Sequence, residues 1–260
     1  MIRRLAVTVL VTFMTLPTVV VVLASFNSTA IMSVPPSGFS LRWYVNALTY
    51  PQFQRAAVNT AMVTFATALF AVPIGTAAAL ALERGRLRGG STVWATVLLS
   101  PLVVPGVAAG LGFLILGSAL GVLRTRVVLV AAHVALVLPF VVRAVWVSVK
   151  NLDPALERAA ASLGATPWRT FRRVTLPLLR PGLFAALLFA VVVSANEFVV
   201  SLFIVNRVTE ILPVALFTYV VNYTDPTIAA VSSLFIAATF AAVWAADRFT
   251  GLASVFRLER

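Results

Sequence analysis

The chain contains no cysteine, a single histidine and few charged side chains. The absence of cysteine excludes disulfide frameworks, cysteine nucleophiles, zinc fingers and iron–sulfur sites, and the lone His133 excludes a multi-histidine metal site. Charged residues make up 11% of the 260 residues and hydrophobic residues 61%. A soluble domain is about a quarter charged and about half apolar. Because this chain lacks the residues for a water-facing surface, the composition predicts an integral membrane protein.

Six apolar stretches are long enough to cross a bilayer, which takes about 20 residues per helix. They are residues 5–26, 56–82, 92–116, 127–149, 183–205 and 227–246. The first stretch is longer than the apolar core of a signal peptide, and no convincing cleavage site follows it, so we interpret it as a retained helix. The pattern predicts an all-α membrane protein with six transmembrane helices in one domain. The apolar segment 211–221 is too short to span and is interpreted as an interfacial or re-entrant piece on the outer side.

The basic residues are distributed unevenly on the two sides of these spans. Of the 20 Lys and Arg residues, fourteen fall on the side that carries both termini and five on the other, while Arg143 lies near the end of the fourth span. The fourteen are Arg3, Arg4, Arg84, Arg86, Arg88, Lys150, Arg158, Arg169, Arg172, Arg173, Arg180, Arg248, Arg257 and Arg260. The positive-inside rule therefore predicts a multi-pass protein with both termini in the cytoplasm. The net charge of +12 does not indicate nucleic-acid binding, because the charges lie between apolar spans and not on one basic face.

Proline and glycine punctuate several of the predicted spans. The prolines are Pro17, Pro73, Pro101, Pro105 and Pro139, and Gly106 and Gly110 form a G-x-x-x-G pair. Small residues allow helices to approach closely, and a proline frees backbone groups that neighbouring helices must satisfy. Two interpretations stay open at this point, ordinary packing of the bundle or hinge points in a moving transporter.

The longest predicted cytoplasmic loop, residues 150–180, has the pattern of a helix–turn–helix. Its start and stop signals are Asp153-Pro154 and Gly164 for the first helix, and Thr166-Pro167 and Leu176-Pro177 for the second. On the first helix, the apolar residues Leu156, Ala159, Ala160 and Leu163 recur on one narrow face. An exposed apolar face of this kind needs a cover. Either a partner protein covers it, or the helix lies on the bilayer with its arginines on anionic lipid.

The same loop resembles the signature loop of ATP-binding-cassette importer permeases, whose pattern is Glu-Ala-Ala, three residues, Gly, nine residues and Ile-x-Leu-Pro. The matching positions here are Ala159, Ala160, Gly164, Val174, Leu176 and Pro177. The glutamate position holds Arg158, and the nearest acid, Glu157, stands one residue earlier, a rotation of about 100° on a helix. Segments outside the loop resemble the spermidine/putrescine-type subgroup. These are Ser25-Phe26-Asn27, residues 36–44, Asn59-Thr60, Glu197-Phe198 and Asp225-Pro226.

The resemblance implies a type I (MetI-like) importer permease of the bacterial inner membrane, which is a transport subunit and not an enzyme. The partners that it implies are two ATP-binding subunits, a second permease subunit in a heterodimer and an external substrate-binding protein, all around a lipid bilayer. Glu157 and the matching loop residues would then dock on the ATPase. We expect no cofactor in this chain, and ATP with Mg in the partner ATPase, because the sequence contains no Walker A pattern.

The cargo is predicted from a single acid. Glu197 is the only acid well inside a predicted span, and an intramembrane acid is a functional candidate by default. With Asn196 beside it, it is predicted to meet an ammonium group of a polyamine such as spermidine or putrescine; the alternatives are an internal pair with Arg143 or a hydrogen bond between helices. The candidates outside the spans, for receiving a cation or for docking the binding protein, are Tyr219, Tyr223 and Asp225.

Other assignments remain open from the sequence. The rival cargoes are an aminophosphonate, ferric iron or another small anion. A secondary transporter or a channel is the alternative class, although neither explains the helix–turn–helix loop. The single histidine, His133, is interpreted as a hydrogen-bonded packing residue.

Overall fold

The computed structural model describes residues 2–85 and 90–250, and within these ranges the chain forms helices and no strand. The helices are α1 (Ile2–Ala24), α2 (Arg42–Thr49), α3 (Pro51–Arg84), α4 (Gly90–Leu99), α5 (Gly106–Ala119), α6 (Arg126–Lys150), α7 (Pro154–Ser162), α8 (Pro167–Thr170), α9 (Leu176–Leu178), α10 (Arg180–Ala195), α11 (Val199–Ile204), α12 (Leu212–Asn222) and α13 (Thr227–Thr250). A 3-10 turn, Ser100–Leu102, follows α4, and a π-helical turn, Phe171–Thr175, joins α8 to α9. The predicted all-α fold is confirmed. Four of the basic residues used to predict the orientation, Arg86, Arg88, Arg257 and Arg260, lie outside the described residues.

Within the described ranges, four helices are long and apolar enough to cross a membrane without interruption. They are Arg4–Ala24, Pro51–Arg84, Arg126–Lys150 and Thr227–Ala245. These helices correspond to the first, second, fourth and sixth predicted spans. The short apolar helix Leu212–Asn222 coincides with the segment that was predicted to be too short to span.

The third predicted span, 92–116, is not one continuous helix. Gly90–Leu102 and Gly106–Ala119 form two arms that are bent by 93°. Pro105 stands at the break, directly before α5, with extended backbone (ψ 135°). A proline ring clashes with the turn that precedes it and supplies no N–H to that turn, so the first arm ends ahead of Pro105. The predicted proline position thus becomes the corner of a bent pair of helices.

The fifth predicted span, 183–205, is also interrupted. α10 ends at Ala195 and α11 begins at Val199, so Asn196, Glu197 and Phe198 lie between two helices. A continuous span was predicted here from the length of the apolar stretch, which contains neither proline nor glycine. The structure therefore corrects the position of Glu197, which stands in a helix break and not in mid-helix.

One compact unit comprises the described residues of Met1–Val58 together with Glu210–Ala242. Its core consists of alanine, larger aliphatic and aromatic side chains, which are Ala47, Phe53, Ala56, Leu212, Ala215, Tyr219, Ala230 and Val231. On α1, Leu10 and Phe13 are 59% and 75% exposed. A helix that is apolar on all sides and exposed in this way is suited to contact with lipid.

The loop after α1 in this unit is organised by the buried side chain of Asn27. Its Oδ1 accepts hydrogen bonds from Ser33 Oγ at 2.8 Å and Ser37 N at 3.0 Å, and its Nδ2 donates to Ser33 O at 2.8 Å. The indole of Trp43 donates to the Asn27 carbonyl at 2.7 Å. The Ser25-Phe26-Asn27 segment therefore has a structural role, because one amide satisfies several backbone and hydroxyl groups of an irregular loop.

The other compact unit comprises Asn59–Thr209 together with the described residues of Val243–Arg260. Helix α6 runs through its core, where Val137, Val141, Val142 and Val145 are fully buried. Glycines on two neighbouring helices approach it closely. A Cβ on Gly75 of α3 would lie 2.4 Å from Val141 Cγ1, and one on Gly182 of α10 would lie 2.4 Å from Ser148 Cβ. The absence of side chains at these points allows the three helices to pack together.

The G-x-x-x-G pair in α5 packs against α11 in the same unit. A Cβ on Gly110 would lie 2.5 Å from Phe203 Cδ2, and one on Gly106 would lie 3.0 Å from Val199 Cγ1. A Cβ on Gly112, on the same helix, would meet nothing within 4 Å. The packing interpretation of the glycine pair is therefore what the structure shows.

Candidate functional site

The first helix of the loop 150–180 begins and ends where the sequence predicts. Asp153 Oδ1 accepts a hydrogen bond from Ala155 N at 2.8 Å and caps α7. At its C-terminus Gly164 has φ 79°, a conformation that costs glycine nothing. Ala165 N donates to Ala160 O at 3.0 Å and Gly164 N to Ala161 O at 2.9 Å, the paired bonds of a glycine-terminated helix.

The second helix of the loop also starts as predicted and ends one residue later. Thr166 Oγ1 accepts from Arg169 N at 3.3 Å and caps α8. The chain then widens into the π-helical turn Phe171–Thr175, in which Leu176 N donates to Phe171 O five residues back. This turn was not predicted. Pro177, which has no N–H to donate, follows this wider turn and lies inside the short helix α9. The helical segment therefore continues to Leu178 and does not stop at the proline.

Glu157 connects the loop to α3. Its Oε1 accepts from Arg84 Nη1 at 2.6 Å, the one ion pair among the described residues. The buried hydroxyl of Thr175, on the π-helical turn, donates to the same oxygen. The carboxylate of Glu157 is thus engaged within its own chain, although the resemblance placed this residue in the ATPase-docking set. No pattern in the sequence indicated Arg84 and Thr175 as its partners.

Part of the outward surface of the loop is apolar. Leu156, Leu163 and Trp168 are 47%, 89% and 68% exposed, and the Trp168 ring stacks on Phe171 with centroids 5.7 Å apart. We call Leu156, Ala159, Leu163, Gly164 and Trp168 the exposed loop face. Of the other loop residues predicted for docking, Ala160, Val174, Leu176 and Pro177 are half-buried.

Glu197 and Asn196 stand together in the break between α10 and α11. Glu197 Oε1 accepts from Val200 N at 2.8 Å and caps α11, while Asn196 Nδ2 donates to Val192 O at 2.8 Å. Glu197 Oε2 has no hydrogen-bond partner among the described residues. The alternative, an ion pair of Glu197 with Arg143, is not formed among the described residues. The Arg143 guanidinium lies instead 5.9 Å from the centroid of the Trp146 ring. The second alternative, a hydrogen bond between separate helices, is replaced by this local cap.

The three candidates outside the spans come together in the unit that contains α12. Tyr219 Oη donates to Asp225 Oδ2 at 3.0 Å, and Thr227 N donates to Asp225 Oδ1 at 2.8 Å. The Tyr219 and Tyr223 rings are 4.6 Å apart. Burial raises the pKa of the Tyr219 phenol above its ordinary value, so it stays protonated and remains a donor.

Two further residues of this cluster were missed from the sequence. Tyr50 lies edge-on to Tyr219 at 5.4 Å, and burial raises the pKa of its phenol too. Glu210 Oε2 accepts from Gln52 Nε2 at 2.8 Å. No local signal would have found either contact, because the partners are far apart in the sequence.

His133 is a hydrogen-bonded packing residue, as predicted. Its ring is 1% exposed, with Nδ1 2.8 Å from Ser194 Oγ and Nε2 2.9 Å from Ser201 Oγ. The two serines belong to α10 and α11, on either side of the break that holds Glu197.

Residues 71–251 match the family described as "Binding-protein-dependent transport system inner membrane component". That segment is more than half of the chain. The chain belongs to this family. The membership confirms the resemblance to importer permeases, confirms a multi-pass membrane protein, and displaces the secondary transporter and the channel as alternative classes.

Several relatives are similar over most of their length. The putrescine transport system permease protein PotI of Escherichia coli (strain K12) is 32% identical over 234 residues, 87% of this chain and 83% of the relative. The spermidine/putrescine transport system permease protein PotC of the same strain is 29% identical over 230 residues, 87% and 85% of the two chains. PhnV of Salmonella typhimurium (strain LT2), a candidate 2-aminoethylphosphonate transport system permease, is 32% identical over 211 residues, 80% and 78% of the chains.

The fold is similar to a subunit of a solved transporter. A chain in the crystal structure of a bacterial ABC transporter for import of the acidic polysaccharide alginate has a TM-score of 0.74 and 17% identity, and covers 95% of this chain and 93% of its own. A second structure of the bacterial alginate transporter, in complex with an alginate-bound periplasmic protein, has a TM-score of 0.71 at 17% identity, with 95% and 92% covered. At this identity the likeness establishes the fold, which confirms the predicted permease architecture.

Proposed function

We propose that this chain is the membrane-spanning permease subunit of an ATP-driven importer for a polyamine such as putrescine or spermidine. The observation that carries the proposal is the exposed loop face. It is an apolar surface on two capped helices, held from behind by Glu157 and Arg84. A rigid apolar surface of this kind is suited to docking, because its conformation is set before the partner arrives.

The partner for this face is one of two ATP-binding subunits, where ATP and Mg are bound. Small Ala159 allows close approach, and Gly164 ends the helix without a side chain. Closure of two such subunits around ATP would move the loop, and the Glu157–Arg84 pair would transmit that movement to α3. A second permease subunit completes the path as a heterodimer. The excess of basic residues beside the termini and the loop supports a cytoplasmic location for both.

The polyamine cargo is supported by the names of PotI and PotC and by the chemistry of Glu197. A carboxylate with one free oxygen at a helix break can exchange a water for an ammonium group of the cargo. An aminophosphonate is the second candidate cargo, because the relative PhnV is named for 2-aminoethylphosphonate transport and that ligand also carries an amine. Neither ferric iron nor a small anion other than an aminophosphonate has comparable support as the cargo.

The external binding protein docks on the cluster of Tyr219, Tyr223 and Asp225. Both oxygens of Asp225 already accept hydrogen bonds, so this carboxylate is less suited to receive a cation than Glu197 is. Tyr223 is 50% exposed and presents an aromatic surface with a polar end. Tyrosine is enriched at protein–protein interfaces for this reason.

Uptake of labelled putrescine, spermidine and 2-aminoethylphosphonate tests the cargo in cells that lack this chain. The wild type and Glu197→Gln are restored separately at equal membrane levels. We expect the wild type to restore uptake of a polyamine, and Glu197→Gln to raise its KM by on the order of tenfold, as for a lost charge-assisted contact. Glu83→Gln is the matched control, because the Glu83 carboxylate accepts only from Trp146 Nε1 at 2.8 Å.

Three results would overturn parts of the proposal. Restoration of aminophosphonate uptake alone would replace the polyamine by the second cargo. Equal KM values for Glu197→Gln and Glu83→Gln would remove Glu197 from the path. Failure of an ATPase subunit to co-purify with the full chain would contradict the docking role of the loop.

A further inference from the structure

The break that carries Glu197 has one local feature of its own, the cap that Glu197 Oε1 provides for Val200 N. Residues 196–198 include neither proline nor glycine. Helix interruptions without such a residue need another physical cause, such as a side chain that engages both ends. His133 of α6 is in that position.

His133 is hydrogen-bonded on both sides of the break. Nδ1 lies 2.8 Å from Ser194 Oγ in the last turn of α10, and Nε2 lies 2.9 Å from Ser201 Oγ in the first turn of α11. Exposure of the three side chains is 1%, 1% and 0%. A neutral imidazole has one donor and one acceptor nitrogen, so one serine donates and the other accepts. Ser194 Oγ also donates to Thr64 Oγ1 at 3.5 Å, which gives the Ser194 hydroxyl an acceptor when it accepts from the ring.

The bridge is shorter than the axial separation that the two serines would have on an unbroken helix. Two hydrogen bonds and the width of one imidazole ring reach roughly 8 Å between the serine hydroxyls. Ser194 and Ser201 are seven residues apart, and an uninterrupted helix would separate them by about 10.5 Å along its axis. Binding of one ring by both serines therefore favours the interrupted conformation.

The interrupted conformation also places the Glu197 carboxylate. Glu197 Oε1 is held by Val200 N, in the turn of α11 that Ser201 anchors to His133. On the other side, α11 is held by α5 through the close approach of Gly110 to Phe203. The position of α11, and with it the carboxylate, thus depends on the contacts of α11 with α6 and with α5.

We propose that His133 is a positioning residue that holds the Asn196–Phe198 break open through Ser194 and Ser201 and thereby sets where the Glu197 carboxylate stands. The proposal rests on the proposed function only in that Glu197 meets the ammonium group of the cargo. The geometry of the break can be tested without any transport measurement.

Because the sequence contains no cysteine, a single thiol introduced at the break can be labelled specifically. Asn196→Cys introduces the only thiol at an exposed side chain next to Glu197, and it removes just the local bond to Val192 O. The full chain in lipid nanodiscs is treated with a cationic and an anionic methanethiosulfonate reagent. The ratio of the cationic to the anionic labelling rate reports the local potential. A carboxylate a few ångströms away makes that potential more negative and so raises the ratio.

With His133 present, we expect the ratio to exceed that of the Glu197→Gln background by on the order of tenfold. In Ser201→Ala and in His133→Leu we expect it to fall most of the way to the Glu197→Gln value. Ser201→Thr keeps the hydroxyl and should restore the ratio. Ser233→Ala is the matched control, because Ser233 is a buried serine that bonds only Ala229 O of its own helix, at 2.8 Å. If His133→Leu does not fold, Ser201→Ala and Ser201→Thr carry the test by themselves.

Different outcomes overturn the two proposals. An unchanged ratio in folded Ser201→Ala, with a clear effect of Glu197→Gln, would refute the positioning role and leave the function of Glu197 intact. A thiol at 196 that neither reagent reaches would remove Glu197 from an aqueous path, and both proposals would fall. A polyamine KM that is insensitive to Glu197→Gln, together with the expected labelling ratios, would refute the cargo contact and keep the role of His133 in the break.

Discussion

Arg84, the last residue of α3, donates from Nη1 to Glu157 Oε1 over 2.6 Å. The same oxygen accepts the hydroxyl of Thr175, so one carboxylate joins a membrane-spanning helix, the first helix of the loop and the π-helical turn. Glu157 also stands in the first turn of α7, where a negative charge is favoured by the helix dipole. The family pattern has its glutamate one residue later, and here that position is occupied by an exposed arginine, Arg158.

Removal of this carboxylate should loosen the loop without unfolding the chain. The pair is partly exposed (34% and 23%), so by itself it contributes about 0.2–1 kcal/mol, and the buried Thr175 hydroxyl loses an acceptor worth about 1 kcal/mol. We expect Glu157→Ala to lower the midpoint of thermal unfolding by a few degrees and to lower uptake by a larger factor than the loss of folded protein explains. Arg158→Ala is the control, and an equal effect on uptake by both variants would contradict a special role for Glu157.

Gly164→Asp should leave the chain folded and uncouple transport from the ATPase. A Cβ at this position meets nothing within 4 Å in the chain, so the cost is confined to φ 79°, roughly 1–2 kcal/mol. The new side chain projects into the exposed loop face, where the partner must fit. The measurements are membrane abundance and uptake of the cargo. Gly121→Asp is the matched control, because Gly121 has φ 67° and equally open surroundings but lies outside the loop. Loss of uptake in both variants would point to backbone strain and not to docking.

Gly110→Ala should destabilise the contact between α5 and α11. Its Cβ would stand 2.5 Å from Phe203 Cδ2, so the ring or the helix must move, at about 1–3 kcal/mol for overpacking. Thermal unfolding in detergent measures the loss. Gly112→Ala, on the same helix and facing open space, should be neutral. Phe203→Leu combined with Gly110→Ala should recover part of the stability, and no recovery would argue against this contact as the cause.

Tyr219→Phe should lower stability and leave the KM for the cargo unchanged. The phenol donates to Asp225, which also caps α13 through Thr227 N, so the loss is that of a hydrogen bond to a charged group, about 1.5–3 kcal/mol. Thermal unfolding and a concentration series of uptake separate the two quantities. Tyr223→Phe is the control, because its ring packs on Tyr219 and is half exposed. A raised KM in Tyr219→Phe alone would return this cluster to the cargo path.

The loop was predictable because its signals act locally. Asp153 bonds a backbone N–H two residues away, and Gly164 ends a helix through bonds that reach back no more than five residues. Such contacts form as soon as the helix forms, and residue type and spacing specify them. For the same reason the sequence indicated Pro105 as a position where a helix is interrupted. The 93° angle between the two arms could not be predicted from it.

The break at Glu197 was not predictable from its own residues. Its bridge joins His133 to serines 61 and 68 positions away, and Glu157 finds Arg84 at a distance of 73 positions. An isolated polar residue in an apolar chain indicates only that it has a hydrogen-bond partner, because an unpaired polar group in hydrocarbon is costly in free energy. Which partner it is depends on helix packing.

Sequence alone determined that this chain crosses a membrane several times through apolar helices, and that one loop carries a capped helix–turn–helix. Composition and local hydrogen bonds are sufficient for both, since they involve water, lipid and neighbouring residues only. The tertiary structure decided which helices are broken, which polar groups pair, and which face of the loop stays exposed. Those outcomes depend on close contacts between distant segments, such as Gly110 against Phe203, whose geometry exists only once the helices are packed.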